Sequence, residues 1–300
     1  MTRVVPTHPR ALPVLLAQVP SGPPEGILAE MRTGLLRRLE GLPQTRLVIY
    51  PELHTCQVSG PLAQRREQFE QIAEPLDGPR VQALSELAAE AGVWLVPGSV
   101  VERGDDGHTY NTALALGPGG ELTSYRKVFP WRPFEPLRPG GAFVTVDIPD
   151  VGRIGLAICY DLWFPEVIRH LAWMGAELVV LPTKTSTSDR EQELVLTRAA
   201  AITNQVYVAA VNAAAPSGNG RSLVVDPEGL VRVQAPGDGT AYLTDVLDLD
   251  AVTRVRHYGT CGLNRMWSQV HDDDPAIELP LYAGRLQARR WQRADTEPSP

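Results

Sequence analysis

Residues 153–183 read RIGLAICYDLWFPEVIRHLAWMGAELVVLPT, and the order of patterns within them decides the architecture. An apolar run at 154–158 is followed by Cys159-Tyr160-Asp161 and then by Phe164-Pro165-Glu166. Proline suits the first turn of a helix, where its missing N–H is not needed, and the stretch 165–174 has helical amphipathicity. Gly175-Ala176-Glu177 leads into a second apolar run at 178–181, closed by Pro182. The reading is strand, helix, strand. Runs that are apolar at nearly every position, rather than alternating, are expected where a sheet is covered on both faces.

The same alternation extends outward. Further strands are expected at 12–19, 47–50, 93–101 and 206–211, with helices at 27–42, 61–73, 79–91 and 191–204. In the helix at 79–91, Val81, Leu84, Leu87, Ala88 and Ala91 recur at helical spacing, and Gly92 supplies the stop. The segments 110–116 and 122–126 flank Gly117-Pro118-Gly119-Gly120 and read as a hairpin. A second β-rich stretch runs from 222 to 247, with turns at Asp226-Pro227-Glu228-Gly229 and Pro236-Gly237-Asp238-Gly239. An α/β protein with mixed sheets, antiparallel edges and helices outside fits this better than eight repeated units. A single domain is expected over 1–270, followed by a Pro-, Asp- and Arg-rich tail at 271–300.

Composition excludes several classes. With 300 residues, 43% hydrophobic and 21% charged, the chain is neither a disordered tail, a collagen-like repeat nor a small disulfide scaffold. A net charge of −7 without an Arg-rich run argues against nucleic acid as a partner. The early apolar stretch at 12–19 contains Pro13, is too short to span a membrane and lacks a signal-peptide layout. Three cysteines, Cys56, Cys159 and Cys261, favour free thiols in a reducing compartment, so a cytoplasmic location is expected. Of 28 basic residues only Lys127 and Lys184 are lysines. A coding bias explains the total, yet an ammonium is a compact point charge where a guanidinium is not, so both lysines merit inspection.

Chemistry collects beyond the carboxyl ends of strands in α/β sheets. Those positions hold Pro51-Glu52, Lys127, Cys159-Tyr160-Asp161 and Pro182-Thr183-Lys184. Cys159 is the leading nucleophile candidate, because unsatisfied N–H groups at a strand-to-helix turn favour the thiolate; a buried apolar cysteine is the plain alternative. Cys56 and Cys261 read as loop or packing residues. None of His8, His54, His108, His170, His257 and His271 stands at a convincing strand end, so the base is sought among carboxylates. Glu52, directly after a Val- and Ile-containing strand, is partly buried on this reading, the setting in which a carboxylate serves as general base. No zinc-ligand spacing or phosphate-binding glycine loop occurs.

Together Pro51-Glu52, Tyr125-Arg126-Lys127 and Ile158-Cys159-Tyr160-Asp161 with Phe164-Pro165-Glu166 resemble the nitrilase superfamily of carbon–nitrogen hydrolases, over about residues 12 to 265. The resemblance implies a four-layer α-β-β-α sandwich of mixed sheets and a catalytic triad of Glu52, Lys127 and Cys159. It also implies a second glutamate eight residues after the lysine, at Glu135, as in the amidase branch. Cys159-Tyr160-Asp161 is similar to amide and N-carbamoyl hydrolases, whereas true nitrilases commonly show Cys-Trp-Glu. The chain departs from many relatives in carrying Thr203 before Asn204.

The implied reaction is hydrolysis of a small linear amide to acid and ammonia through a thioester. In it, Lys127 and the Tyr160 backbone N–H stabilise the oxyanion. The alternatives are an N-carbamoyl amide hydrolase or a nitrilase on the same triad, then an acyltransferase or a non-catalytic relative. Trp131, Phe134 and Trp163 are expected to wall the pocket; Thr183 and Lys184 are candidates for substrate binding, with Lys184 either at the pocket mouth or, on the plainer reading, an ordinary solvated lysine. No cofactor or metal is expected, and the family's habit implies a homodimer or higher homo-oligomer. Leu171-Ala172-Trp173-Met174 is a contact candidate or, equally, a core helix face.

Overall fold

The computed structural model describes residues 10–275, apart from 59, 270 and 272, together with 284. In chain order the elements are β1 (Ala11–Gln18), α1 (Pro24–Glu40), β2 (Leu47–Ile49), α2 (Leu62–Ile72), α3 (Pro79–Ala91), β3 (Trp94–Val96), β4 (Ser99–Arg103), β5 (Thr109–Leu116) and β6 (Leu122–Arg126). There follow β7 (Val144–Ile148), β8 (Gly152–Leu156), α4 (Pro165–Trp173), β9 (Leu178–Thr183), α5 (Arg190–Asn204), β10 (Tyr207–Asn212), β11 (Leu223–Val225), β12 (Val231–Gln234), β13 (Ala241–Asp248) and α6 (Asp250–Tyr258). His8 and most of the expected tail at 271–300 lie outside the described residues.

Two sheets form. One has the order β13-β1-β2-β3-β5-β4, with β6 paired to β5; the other runs β12-β11-β10-β9-β8-β7. Each has a parallel centre, β1-β2-β3 and β8-β9-β10, with antiparallel strands on either side. The apolar runs are continuous because successive side chains enter different cores. Leu12, Val14 and Leu16 of β1 meet Leu178 and Val180 of β9 between the sheets. Leu15 and Ala17 point instead to Met31 and Leu35 of α1 and to Leu84 and Leu87 of α3. On the other side Val179 and Leu181 pack on Ile168 and Leu171 of α4 and on Leu194 of α5. Helix, sheet, sheet and helix are thus stacked as four layers, with apolar burial between each pair.

Some sequence expectations need correction. The strand at 93–101 is two strands, β3 and β4, separated at Pro97-Gly98. Gly98 has φ +90°, and a Cβ there would stand 1.7 Å from the Pro51 carbonyl oxygen. Only glycine permits both the left-handed backbone and that approach. The β-rich stretch 222–247 is divided between the sheets: β11 and β12 complete one, while β13 pairs with β1 in the other. The Gln18 side-chain amide holds the crossover by donating to the carbonyls of Gly237 and Gly239 at 2.9 and 2.6 Å. Helix α6 and strand β7 lack a clear sequence signal, since both are short and rich in Val with interspersed charge. In the segment 171–174, Leu171 and Ala172 are core, whereas Trp173 is 75% exposed.

Gly98 links fold to site, because Pro51 precedes Glu52. Gly98→Ala is expected to lower stability by about 2 kcal/mol in chemical denaturation, through strain and displacement of the Pro51 carbonyl. Unchanged stability would show that the Pro51-Glu52 segment yields freely.

Candidate active site

Four strand ends converge between the sheets. Glu52 lies just beyond β2, and its N–H donates to the Thr183 carbonyl at the end of β9 across the interface. Lys127 follows β6, and its backbone N–H bonds the carbonyl of Asn111 in β5 at 2.8 Å. Its ammonium, 2% exposed, donates to Glu52 Oε1 at 2.8 Å and to Glu135 Oε2 at 2.7 Å. The Asn111 amide lies beneath them, donating to Glu52 Oε1 at 2.8 Å and to Glu135 Oε1 at 2.7 Å. Glu135 also accepts from the Trp131 N–H at 3.0 Å, which closes the intervening loop on itself. Both carboxylates are therefore fixed by ammonium and amide together.

Cys159 begins a short 3-10 turn, Cys159–Trp163, which follows β8 after Ala157 and Ile158. Its φ of +46° is left-handed, a sparsely populated region for a residue with a Cβ. Asp161 holds this turn. Its carboxylate accepts from the Ile158 N–H at 2.9 Å, the Phe129 N–H at 2.9 Å and the Tyr125 hydroxyl at 2.8 Å. One buried side chain thereby ties the cysteine turn to both sides of Lys127. Its burial outweighs those three donors and Lys127, pushing its pKa up to about 6.

The Cys159 sulfur stands 3.7 Å from the Thr185 hydroxyl, which donates to Glu193 Oε1 at 2.8 Å; Arg190 pairs with that carboxylate at 2.9 Å. Burial first, and then Glu52 and Glu193, push the thiol well above its usual range, against Lys127 and the Lys184 backbone N–H. The lowered pKa expected from the strand-to-helix turn is thus not found in the free protein. Burial also disfavours the Lys127 ammonium, but Glu135 and Glu52 reverse this and hold it well above the ordinary lysine value. The site keeps a neutral thiol beside a charged lysine.

Other candidates are distributed around this centre. Trp131 and Phe134 are partly exposed on the Glu135 loop, with ring centroids 4.3 Å apart. Tyr160 and Trp163, both half-buried, lie in the cysteine turn. The Thr183 hydroxyl is committed to Asn212 Oδ1 at 3.0 Å, a structural bond. Lys184 is half-buried and forms no ion pair among the described residues; desolvation lowers its pKa, opposed by Glu52. His54 is buried and pushed down to about 4 by desolvation, while His108, His170, His257 and His271 are exposed. Cys56 is buried and Cys261 exposed. Asn204 is buried with its Oδ1 unpartnered among the described residues, while Thr203 is exposed and its hydroxyl bonds the Ala199 carbonyl.

Sequence reasoning missed Asn111, Thr185, Arg190 and Glu193. The only local signals were an amide inside an apolar strand and an Arg-x-x-Glu pair opening α5. Among the described residues no three His, Cys, Asp or Glu side chains are grouped to hold a metal ion, and no helix is long and apolar enough to cross a membrane.

A half-buried cysteine, a lysine bridged by two glutamates and a four-layer sandwich together define a hydrolase class. The chain belongs to the carbon–nitrogen hydrolase family of the nitrilase superfamily, whose sequence model matches residues 29–257. It is 33% identical over 235 residues to a Mycobacterium tuberculosis protein named as a hydrolase, covering 70% of this chain and 80% of that one. Human omega-amidase NIT2 is 35% identical over 206 residues, covering 63% and 73% respectively. Among solved structures, Saccharomyces cerevisiae Nit3, a member of branch 10 of the nitrilase superfamily, superposes with a TM-score of 0.74 at 30% identity, covering 82% of this chain and 93% of its own. A cysteine-to-alanine mutant of the Nesterenkonia sp. AN1 amidase in complex with butyramide gives 0.69 at 26% identity, covering 85% and 97%.

Two outcomes are expected. Iodoacetamide should alkylate Cys159 more slowly than exposed Cys261 at neutral pH, with a Cys159 rate still climbing in the alkaline range, because only thiolate reacts. Peptide mapping across pH reads both rates; faster labelling of Cys159 at neutral pH would contradict the raised value. Asn111→Asp replaces a double donor with a third carboxylate. It should cost roughly 3 kcal/mol of stability at pH 8, with a smaller penalty at pH 5 as the new carboxyl takes up a proton. Denaturation at the two pH values measures the difference.

Proposed function

We propose that the protein hydrolyses a small linear amide to a carboxylic acid and ammonia, with Cys159 as nucleophile. The observation that carries this reading is the Lys127 ammonium held by Glu52 and Glu135 within the electrostatic reach of the Cys159 sulfur. Family membership and the amidase and omega-amidase names of its relatives support it.

Glu52 takes the thiol proton as sulfur attacks the carbonyl carbon. The C–S bond forms and the carbonyl π pair moves to oxygen. Lys127 and the Tyr160 backbone N–H stabilise that oxyanion, and a positioned donor of this kind is worth roughly 3–4 kcal/mol. As the carbonyl reforms, the C–N bond breaks and Glu52 gives its proton to the departing nitrogen, releasing ammonia. Water then attacks the thioester as Glu52 removes its proton, and the C–S bond breaks. The sulfur recovers the proton from Glu52, and the acid departs. Glu135 holds Lys127 in place and is close enough to its ammonium to orient the substrate amide. Trp131, Phe134 and Trp163 supply apolar wall, and Lys184 supplies positive charge at the mouth.

Cys159→Ala is expected to abolish ammonia release from aliphatic, aromatic and ω-amido acid amides, while Cys56→Ala and Cys261→Ala retain it. Mass spectrometry of a quenched turnover should find the acyl group on the peptide containing Cys159. Full activity in Cys159→Ala would overturn the nucleophile. Parallel assays with N-carbamoyl amino acids, nitriles and added hydroxylamine separate the neighbouring reactions, and a preference for any of them would redirect the substrate assignment.

A further inference from the structure

A concavity is lined by Arg132, Pro136, Leu137 and Arg138 of the Glu135 loop. It is a cleft of about 780 Å³, a volume typical of small-molecule sites, and neither Glu52 nor Cys159 lines it. Four guanidiniums border it: Arg66 from α2, Arg103 from the end of β4, and Arg132 and Arg138 from the loop after Lys127. His108 adds an imidazole, and Glu70 is the one carboxylate on the lining. None of the four arginines forms an ion pair among the described residues. Arg103 donates to the Glu70 backbone carbonyl rather than its carboxylate, and Arg138 meets His108 Nε2 at 3.3 Å. In a chain of net charge −7, four guanidiniums outside any ion pair, set against the Glu70 carboxylate on the lining and Asp106 near Arg138, leave a net concentration of positive charge around one hollow.

The geometry points to a second ligand site in this cleft, one that takes a small multivalent oxyanion bearing two or more phosphate or carboxylate groups. Guanidinium matches such groups with paired N–H donors, and several converging arginines select for more than one negative charge. A concave site of this volume fits a compact molecule rather than an extended polymer. The cleft is also joined to the active site through backbone. Thr109 lines it and accepts from the Arg138 N–H at 2.9 Å; two residues further along the same strand, Asn111 grips Glu135. An anion drawing Arg132 and Arg138 together acts on both ends of the segment that carries Glu135.

The test is calorimetric titration of the full chain with inorganic pyrophosphate and, separately, with citrate, which distinguish phosphate from carboxylate recognition. Saturable one-site binding of either is expected, weakening as sodium chloride is raised. Arg66→Glu combined with Arg103→Glu should weaken it at least about tenfold. Both positions are exposed, so the unliganded melting temperature should hold; if it falls, Arg66→Gln and Arg103→Gln are titrated singly, with weaker binding again expected. Arg37→Glu, an exposed arginine on α1, should leave binding unchanged. Absence of binding by both probes up to ~10 mM, or equal binding by the paired variant, would overturn the site.

Discussion

One ammonium organises the centre of this molecule. Lys127 is almost wholly removed from water, and a buried charge is tolerated only when neighbouring charge and hydrogen bonds replace its hydration. Two carboxylates from different parts of the chain do so. Glu52 arrives at the end of β2, and Glu135 from a loop that returns eight residues after the lysine. Two carboxylates around one lysine leave an excess negative charge, and the Asn111 amide offsets part of it with two further donors. Strand end, loop and hairpin are consequently positioned against one another by charge as well as by the apolar contacts of Ile49, Ala113, Tyr125 and Leu137.

The nucleophile turn is attached to that cluster by a second buried carboxylate. Asp161 anchors the left-handed backbone at Cys159 and reaches Tyr125 and Phe129, which bracket Lys127. Cys159 follows a strand of one sheet and Lys127 a strand of the other, so Asp161 sets their separation across the sheet interface. Strain at a left-handed non-glycine residue persists only where its surroundings over-determine it. Three donors on one carboxylate are such surroundings. A local change at Tyr125 therefore bears on the sulfur without touching it.

Much of this architecture is legible in the sequence. The continuous apolar runs imply sheets covered on both faces, and two stacked sheets with outer helices satisfy that requirement. Glu52, Lys127 and Cys159 are legible as candidates because each stands within three residues of a strand end, where side chains leave the sheet together. Asn111 is not, because its partners are 59 and 24 residues away and nothing local marks an amide in a strand as a bridge. The break at Pro97-Gly98 was hidden for a similar reason, since the cause is a carbonyl from Pro51. The ionisation of Cys159 is not legible in the sequence: the turn's N–H groups are local, whereas Glu193 and the burial that raise the thiol pKa are supplied by the tertiary fold.

Ionising Cys159 into solvent adds a negative charge to a buried set that already holds Glu52, Glu135 and Glu193, and the raised thiol pKa expresses that cost. In the proposed mechanism no charge is added. The proton passes from sulfur to Glu52, so negative charge moves within the cluster while its total is unchanged, and Lys127 faces both positions. The same burial that penalises a free thiolate strengthens the attraction of Lys127 for an oxyanion, because water is absent to screen it. A thiol kept neutral until a carbonyl arrives is also protected from oxidation and stray alkylation, which require thiolate. A high resting pKa and nucleophilic attack are compatible when the thiol and its base belong to the same buried cluster.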